Sequence, residues 1–407
     1  MITPPRVLVS HPTGNTFVRA LLNKLESHGQ LERFFTTIGV GKGANPLVQI
    51  LAKRRYYSIP DSQISRQWFP ETWRLLSSGH HSQEERRKLT DQSYQSLDHR
   101  MVSELHRFPH SALHAYEDGA ASSFKHAKNH GIRCSYELPI AHWETVRHLL
   151  GEEAERLPEW EPTLESTREP EQKLIRKEEE LALADCITCP STFVLNSIPR
   201  EIRERVPCQV AQFGSPKNYE NKNGSLNPRT NRKLKLLFVG SMSQRKGLAD
   251  LLVAMNLIKS SQVSLTLLGQ PSMPLSFYRS HYRDFEYLPP RSNENVRKAM
   301  AEHDVLVLPS IVEGRALVQQ EALSCGLPLL VTPNAGGDDL IEDGQTGFLS
   351  PIRAPNALAE KIEWFCDHRD DLPEMSRLCK EIARRYSWDE YANRVIDFCL
   401  QKESDEG

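Results

Sequence analysis

The stretch DVLVLPSIVEGRALVQQEALSCGLPLLVTP (residues 304–333) decides the fold, because it holds a strand, a helix and a second strand. Its first run, DVLVLPS, and its last, LPLLVTP, are apolar without alternation, which is typical of parallel strands covered on both faces. Between them, residues 316–325 have apolar side chains at helical spacing. This order of elements is the repeating unit of an α/β domain with a parallel sheet.

Glu321 stands in an unusual position in this helix. It lies inside the apolar stripe, where a charged side chain costs several kcal/mol unless it is paired or hydrogen-bonded. The stripe is predicted to consist of Leu317, Val318, Ala322 and Cys325. Glu321 is therefore either paired inside the protein or faces a cleft that brings its own donors.

Glu313 favours the cleft. It follows the first strand and precedes the helix, at the carboxyl edge of the sheet where open α/β folds bind ligands. With Gly314 at the turn, the two carboxylates predict a site for a hydroxyl-rich ligand. The backbone amides of the first helical turn, at Arg315, Ala316 and Leu317, add a predicted anion pocket.

The same rhythm continues toward the amino terminus. The runs LKLLFVGS, VSLTLLG and FEYLPP alternate with helical patterns, and before them residues 214–233 are crowded with Asn, Gly, Ser and Pro, as in a linker. Ahead of the linker, RVLVS, SALHAY, RCSYELP and DCITCPS repeat the cadence. The sequence predicts two Rossmann-like, doubly wound α/β domains facing across a cleft, residues 1–213 and 214–385, with an apolar helix in residues 386–407 that must pack on one of them.

Two segments do not follow this alternation of strands and helices. Residues 42–108 are interpreted as a helical excursion, and the charged residues 151–180 as a solvated connection leading into a helix. The excursion contains a basic and aromatic cluster, which predicts a solvated helix face, with an anionic acceptor or a membrane face as the alternative. The cluster is Lys53, Arg54, Arg55, Tyr56 and Tyr57.

Composition limits the partners. The chain has 51 Lys+Arg against 53 Asp+Glu and a formal charge of −2, so nucleic acid is not expected. With neither a signal peptide nor a run of about 18 apolar residues, the chain is predicted to be cytoplasmic, with at most peripheral contact at the inner membrane face. Cys186 and Cys189 form a C-x-x-C pair in a predicted strand, where they point to opposite faces, and no D-x-D motif occurs, so no metal is predicted.

A second anion site is predicted in VGSMSQRKG (residues 239–247). Arg245 and Lys246 stand at a strand-to-helix turn, where a phosphate would collect, although the Walker pattern is not matched. In the first domain, HPTGN follows the first strand, and Gly14 and Asn15 are predicted to face the cleft.

VGSMSQRKG and the segment from LPSIVEGRALVQQEALSCG to GQTGFL closely resemble the donor-binding half of retaining, two-domain (GT-B) glycosyltransferases of family 4. The E-x7-E pair, here Glu313 and Glu321, is that family's mark. The resemblance implies that Glu321 binds the nucleotide ribose and that Glu313 touches the donor sugar near the reacting carbon. It also implies that Lys246 holds the diphosphate, that amides after Gly314 complete this cradle, and that the last helix crosses back to the first domain.

The chain departs from the family pattern at three places. Ser241 follows Gly240 where the family often has Arg, so Arg245 is one candidate for the missing cation. Arg315 stands where the family usually has an aromatic residue, and it either supplies that charge or points to solvent. The usual catalytic-side histidine has no clear counterpart in LHAYEDGA, whose three candidates are Tyr116, Glu117 and His114.

The implied reaction moves a hexosyl unit from a nucleotide diphosphate sugar to an acceptor hydroxyl of a glycan, lipid or small molecule, with retention at the anomeric carbon. The donor is a substrate, and no separate cofactor or metal is expected. The alternatives are a sugar-nucleotide epimerase of the same fold and a non-catalytic subunit that keeps the donor pocket. The nucleotide base, donor sugar, acceptor and oligomeric state are not encoded in the motifs.

Overall fold

The computed structural model describes residues 5–45, 55–77, 81–109, 111–164, 169–219 and 232–401. Its described strands are β1 (Arg6–Ser10), β2 (Leu31–Thr36), β3 (Val40–Lys42), β4 (Tyr56–Pro60), β5 (Ile64–Arg66), β6 (Ser111–Tyr116), β7 (Cys134–Glu137), β8 (Cys186–Cys189), β9 (Cys208–Val210), β10 (Leu234–Val239), β11 (Val263–Leu268), β12 (Phe285–Leu288), β13 (Val305–Leu308), β14 (Leu329–Val331) and β15 (Gly347–Leu349). Its described α-helices are α1 (Thr16–Ser27), α2 (Trp68–Ser77), α3 (Gln83–Leu105), α4 (Ala121–Asn129), α5 (Trp143–Arg156), α6 (Glu171–Leu183), α7 (Thr192–Ser197), α8 (Arg200–Arg205), α9 (Leu248–Leu257), α10 (Leu275–His281), α11 (Asn293–Ala301), α12 (Leu317–Ser324), α13 (Pro355–Asp367), α14 (Leu372–Arg385) and α15 (Trp388–Leu400).

The first sheet has the spatial order β5-β2-β1-β6-β7-β8-β9, and its neighbouring strands are parallel. Alternate residues of β1 enter different cores: Val7 and Val9 pack with α1 and α15, whereas Leu8 packs with α3 and α4. Both faces of this sheet are therefore covered, which explains why its strands are apolar without alternation.

The second sheet has the order β12-β11-β10-β13-β14-β15 and is also parallel. Its strands share one large core with side chains of α9, α13 and α14. Two parallel sheets flanked by helices confirm the predicted fold class. The proposed boundary between residues 213 and 214 falls after β9 and before β10, and residues 220–231 of the predicted linker lie outside the described residues.

The excursion of residues 42–108 is not purely helical. It contributes β5, an edge strand of the first sheet, and β4, which pairs with β3. Tyr57 lies in β4 and is 1% exposed, so the predicted solvated helix face is wrong for this residue. Arg55 is bound to Glu71 at 3.0 Å, whereas Lys53 and Arg54 lie outside the described residues.

The prediction of a solvated connection at residues 151–180 is also wrong. After α5, the 3₁₀ turn Pro158–Thr163 inserts Trp160 into the core of the second domain, against the rings of Phe277 and Tyr278. Glu153 of α5 is completely buried. Glu152, Glu153 and Arg156 form ion pairs with Arg353 and Asp250 of the second domain, which sequence spacing does not reveal. Lys173 and Lys177 pair with Glu169 inside the first domain.

The last helix, α15, returns to the first domain, where it packs along α1. Its Tyr391 hydroxyl donates to the Glu137 carboxylate, with oxygen to oxygen distances of 2.8 and 2.9 Å. The packing of α15 on α1 explains why the inward face of α15 is apolar in sequence. No helix in the described part of the chain combines the length and apolar character needed to cross a bilayer.

Candidate active site

The site lies where the strand order of the second sheet reverses, between β10 and β13. The connections that leave these adjacent strands run in opposite directions, which opens a crevice at their carboxyl ends. Residues 240–247 follow β10 and residues 309–316 follow β13. The topology therefore brings together two motifs that are about seventy residues apart in sequence.

Two glycines shape the turn after β10. Gly240 has φ 141°, and a Cβ there would lie 2.7 Å from Lys246 Cε. Gly247 has φ 70°, and a Cβ there would lie 1.9 Å from the Pro309 carbonyl oxygen. Both positions require glycine, the first because the lysine stem lies flat on it and the second because the turn touches the β13 connection.

Glu313 receives both cations of this turn. The same Oε1 atom lies 2.5 Å from Lys246 Nζ and 2.8 Å from Arg245 Nη1. Burial alone would raise the pKa of Glu313, but the two positive charges outweigh it and hold the pKa below its usual value. The structure thus joins Glu313, Lys246 and Arg245 into one ionised cluster, which we call the charge cluster.

The charge cluster borders a cavity of about 500 Å³ between the domains. The first domain contributes Phe17, Pro139 and Ile140, and the second contributes Ser241, Ser243 and Ser272 beside the cluster. The domains touch at Gly314, where a Cβ would lie 1.8 Å from the Pro139 carbonyl oxygen. Ser191 of the first domain also donates its hydroxyl to the Gly314 carbonyl at 2.6 Å.

A buried network holds the turn from the first-domain side. The Gln244 side chain donates to Glu153 at 2.7 Å and to Asp250 at 2.8 Å, and its backbone N–H donates to the Thr163 hydroxyl at 3.1 Å. Arg156 binds both oxygens of Asp250 at 2.9 Å. Sequence reasoning missed this network, because its members come from α5, a 3₁₀ turn and α9.

Glu321 lies in a neighbouring cavity of about 260 Å³, which shares Leu317 with the larger one. Its other lining residues include Thr16, Tyr219, Arg297 and Trp388. Burial raises the pKa of Glu321, and the positive charge of Arg297 opposes the shift. Glu321 is therefore half-buried at a cleft rather than paired within a core, as the sequence indicated.

The apolar stripe predicted around Glu321 is not the buried face of α12. Leu317, Val318 and Cys325 are only half-buried, whereas the fully buried side chains include Gln319 and Gln320. These two amides turn inward because main-chain oxygens there need donors: Gln319 donates to Ala335 O at 2.9 Å, and Gln320 donates to Phe213 O. Hydrophobic periodicity could not reveal such a polar inner face.

One of the two alternatives predicted for Arg315 was that it points to solvent, and this alternative is wrong. Its side chain is fully buried and binds both oxygens of Asp339, at 2.6 and 3.0 Å. The Ala316 amide donates to Ala335 O at 3.2 Å, so this part of the predicted anion pocket is already engaged. Arg245 stands beside Lys246, whereas Arg315 pairs with Asp339. That Arg245 replaces the missing cation stays a prediction.

The three first-domain candidates differ in their surroundings. His114 is completely buried between Ser135 and Glu137, at 2.9 and 3.3 Å, so it belongs to the core of the sheet. Tyr116 is also buried, under the rings of His11 and Phe17. Glu117 turns away toward Lys177 at 3.4 Å, and burial raises its pKa to about 7.

His11 is a residue that sequence reasoning passed over. It follows β1 at the switch between β1 and β6, and its ring contacts Tyr116 and Phe17, with centroids 4.7 and 5.9 Å away. Its Nδ1 accepts the Thr13 N–H at 3.0 Å, and burial lowers its pKa to about 3, so it is neutral. Its position directly after the first strand was the available signal.

Gly14 and Asn15 stand beside this edge. A Cβ on Gly14 would lie 2.4 Å from the Tyr57 ring, so glycine is needed there for packing. Asn15 is exposed at the start of α1, next to Thr16, which lines the cavity of Glu321. A ligand contact by either residue stays a prediction.

The cysteines behave as structural thiols. Cys189 lies in the core on the α4 face of the first sheet, whereas the Cys186 thiol contacts the Phe398 carbonyl of α15, so the pair points to opposite faces. In the portions of the chain that are described, no group of three or more His, Cys, Asp or Glu side chains is arranged to hold a metal.

Comparisons with known proteins agree with this geometry. Residues 233–368 match the family model of glycosyl transferases group 1. The D-inositol 3-phosphate glycosyltransferase of Paenarthrobacter aurescens is 25% identical over 334 residues, which cover 77% of this chain and 79% of that protein. Sucrose-phosphate synthase from Thermosynechococcus elongatus superposes with a TM-score of 0.67 at 14% identity, over 97% of this chain and 98% of the other. The Anabaena protein HepE, solved in complex with UDP, gives a TM-score of 0.62 at 14% identity, over 96% and 98%.

The fold and the site together define a two-domain protein of the GT-B class. The matched segment lies in the domain that carries the charge cluster, and in that segment the chain is similar to glycosyl transferases group 1. This similarity agrees with the predicted family and enzyme class.

Proposed function

We propose that this enzyme transfers a hexosyl unit from a nucleotide diphosphate sugar to an acceptor hydroxyl, with retention at the anomeric carbon. The observation that carries the proposal is the charge cluster, in which Lys246 and Arg245 converge on Glu313 beside an interdomain cavity. Two cations at a strand-to-helix turn fit a diphosphate, and a carboxylate next to them fits the hydroxyls of a sugar.

The difficult step is departure of the nucleoside diphosphate from a carbon that becomes oxocarbenium-like. Lys246 and Arg245 stabilise the negative charge that grows on the leaving oxygen, and their fixed positions mean that little reorganisation is needed during the reaction. Glu313 keeps these cations in place before the donor binds. When the diphosphate takes over the cations, Glu313 is released to bind the sugar.

Retention follows from front-face attack in this proposal. Glu313 is the one carboxylate among the described residues that line the larger cavity, and its negative charge is already shared by two cations. Once the diphosphate has taken over these cations, the carboxylate is occupied by the hydroxyls of the sugar, so we do not assign it as a covalent nucleophile. The acceptor hydroxyl instead attacks from the side that the leaving diphosphate occupies, and a diphosphate oxygen takes its proton.

Glu321 provides the second donor contact. Leu317 lines both this cavity and the larger one, so in the proposal a nucleoside extends from the charge cluster past Leu317 to the carboxylate. Glu321 accepts hydrogen bonds from the ribose hydroxyls, which gives its half-buried charge the partners that it lacks in a core.

The eight free thiols support the cytoplasmic location that we include in the proposal.

The first experiment is calorimetric titration with UDP, GDP and ADP, each without metal. We expect one nucleoside diphosphate to bind and Glu321→Ala to weaken that binding by about tenfold or more, because a hydrogen bond to a charged group contributes about 1.5–3 kcal/mol. Glu302→Ala, at an exposed glutamate outside both cavities, is the matched control. If all three nucleotides fail to bind, or if the two variants behave alike, the donor site is wrongly assigned.

A second experiment separates transfer from the alternatives. Incubation with the matching nucleotide sugar and a mixture of acceptors is expected to give a glycoside whose anomeric proton coupling in NMR matches that of the donor. A product that remains an epimeric nucleotide sugar would identify an epimerase, and donor binding without any product would favour a non-catalytic subunit.

A further inference from the structure

Helix α2 is oriented with its polar side inward. Its one fully buried side chain is Glu71, which is 1% exposed. The Glu71 carboxylate accepts hydrogen bonds from Arg55 at 3.0 Å, from Arg74 at 2.8 Å and from Ser93 of α3 at 3.2 Å. These contacts fix the helix on the first domain through a polar face, which is the reverse of an ordinary surface helix.

The apolar side chains of α2 consequently face outward. Phe69, Trp73 and Leu76 recur at intervals of four and three residues and form one stripe, with 67%, 59% and 77% of their surfaces exposed. Trp68 and Leu75 extend the stripe, with 60% and 46% exposed. We call these five residues the apolar face. Single exposed apolar residues are common on protein surfaces, whereas a cluster of this kind marks an interaction site.

The apolar face is preformed. Trp68 and Phe69 are in edge contact, with ring centroids 6.2 Å apart, and the contacts of Glu71 with Arg55 and Ser93 oppose rolling of the helix. Rolling would bury the aromatic rings but would separate Glu71 from these two partners, which belong to other elements. The polar contacts therefore keep a surface exposed that is unfavourable in water.

The charge around α2 selects the partner. The described residues 55–77 and 81–88 contain six Lys and Arg against four Asp and Glu, whereas the whole chain has 51 against 53. Ser93 of α3 contacts Glu71, and Ser96 contacts Gln67, so α3 runs antiparallel beside α2. This direction places the exposed Arg86 near the carboxyl end of the apolar face. A second copy of this chain would bring two such basic regions together, and their charges would repel.

We propose that α2 seats the first domain on an anionic lipid bilayer, with Trp68, Phe69, Trp73 and Leu76 at the level of the headgroups. Ten residues form a helix of about 15 Å, which is half the thickness of the hydrocarbon core, so α2 lies in the plane of the surface. Tryptophan at this depth and surrounding Arg and Lys are the features of interfacial helices. The proposal does not depend on the proposed function.

The test is co-sedimentation of the full chain with vesicles of phosphatidylcholine alone and of phosphatidylcholine with about one third phosphatidylglycerol. We expect binding to the anionic vesicles, weaker binding at high salt, and a loss on the order of tenfold or more in the double variant Phe69→Ser, Trp73→Ser. The control is Ile175→Ser, Val253→Ser, which alters two other exposed apolar residues, 61% and 44% exposed, on α6 and α9.

Three results would overturn the proposal: no vesicle binding by the wild type, equal binding by wild type and double variant, or a wild-type dimer in solution that the double variant converts to a monomer. Nucleotide titration of the same double variant keeps the two proposals distinguishable. Because both substituted residues are exposed and outside the donor cavities, donor affinity is expected to be unchanged.

Discussion

At the scale of single residues, the charge cluster explains how a carboxylate and a diphosphate can use the same cations in turn. Glu313 pairs with both Lys246 and Arg245 in the structure, which offsets the repulsion between these two like charges. In the proposed function, the diphosphate of the donor then takes over this pairing. Binding and catalysis should consequently respond differently when the carboxylate is removed.

The substitution Glu313→Gln separates the effect on donor binding from the effect on catalysis. We expect the nucleoside diphosphate to bind within about threefold of wild type, because Lys246 and Arg245 remain, while turnover falls by about 10²–10³, the usual effect of losing one electrostatic contact in a transition state. Calorimetry and initial rates measure the two quantities on one preparation. A variant that loses affinity and keeps its turnover would contradict the role given to Glu313.

Glu321 predicts a pH dependence of donor binding. Burial raises the pKa of Glu321, so this carboxylate gains a proton at a higher pH than an exposed glutamate, and a protonated carboxyl loses acceptor capacity. Nucleotide affinity should therefore fall as the pH is lowered from 7 toward 5. The affinity ratio of wild type to Glu321→Gln, measured across this range, removes the titration of the phosphates. A ratio that stays constant would contradict the prediction.

At the scale of elements, the turn of residues 240–247, which we propose to bind the diphosphate, is held by a helix of the other domain. Glu153 of α5 accepts hydrogen bonds from Gln244 at 2.7 Å and from Arg156 at 2.7 Å. It also binds Arg353, which lies between β15 and α13 of the second domain. Ala249, at the start of α9, donates to the Gln244 side-chain oxygen at 2.8 Å. The position of Lys246 thus depends on residues of α5 that do not line either cavity.

Glu153→Ala tests this dependence. Removing a completely buried carboxylate leaves Gln244 without one acceptor, so we expect the unfolding free energy to fall by about 2 kcal/mol. Because the turn loses a positioning contact, the nucleotide Kd should also rise by about tenfold. Glu155→Ala, at an exposed position of the same helix, is the matched control for urea unfolding and calorimetry. Lost stability with an unchanged Kd would mean that Glu153 serves the fold alone.

At the scale of the whole molecule, two segments tie the domains together in opposite directions. Residues 158–163 carry Trp160 from the first domain into the core of the second, and α15 returns from the second domain to α1 of the first. Between them, Gly314 and Pro139 meet at the mouth of the donor cavity. The relative position of the domains is therefore fixed on both sides of the site.

Tyr391→Phe tests the returning helix. The Tyr391 hydroxyl is a donor to the buried Glu137 carboxylate, so its loss should lower the unfolding free energy by about 1–2 kcal/mol. Urea unfolding measures the change, and Asp389→Asn on the same helix, with its side chain 82% exposed, is expected to unfold like the wild type. Unchanged stability in Tyr391→Phe would mean that α15 contributes little to the first domain.

The sequence by itself determined the α/β class, the parallel sheets and the β1 and β6 strands. These features follow from local periodicity, so they need no knowledge of distant contacts. A joint role of Glu313 and Lys246 was implied only by the resemblance to a known family, and the order of strands in the second sheet places the two residues together. The tertiary structure alone decided the burial of Trp160 and Arg315, the polar inner face of α12 and the outward apolar face of α2. For Arg315, α12 and α2, a charged or amide group found its partner on another element, and that pairing outweighed the preference that composition and spacing express. Trp160 is buried because its partners, Phe277 and Tyr278, are supplied by the other domain.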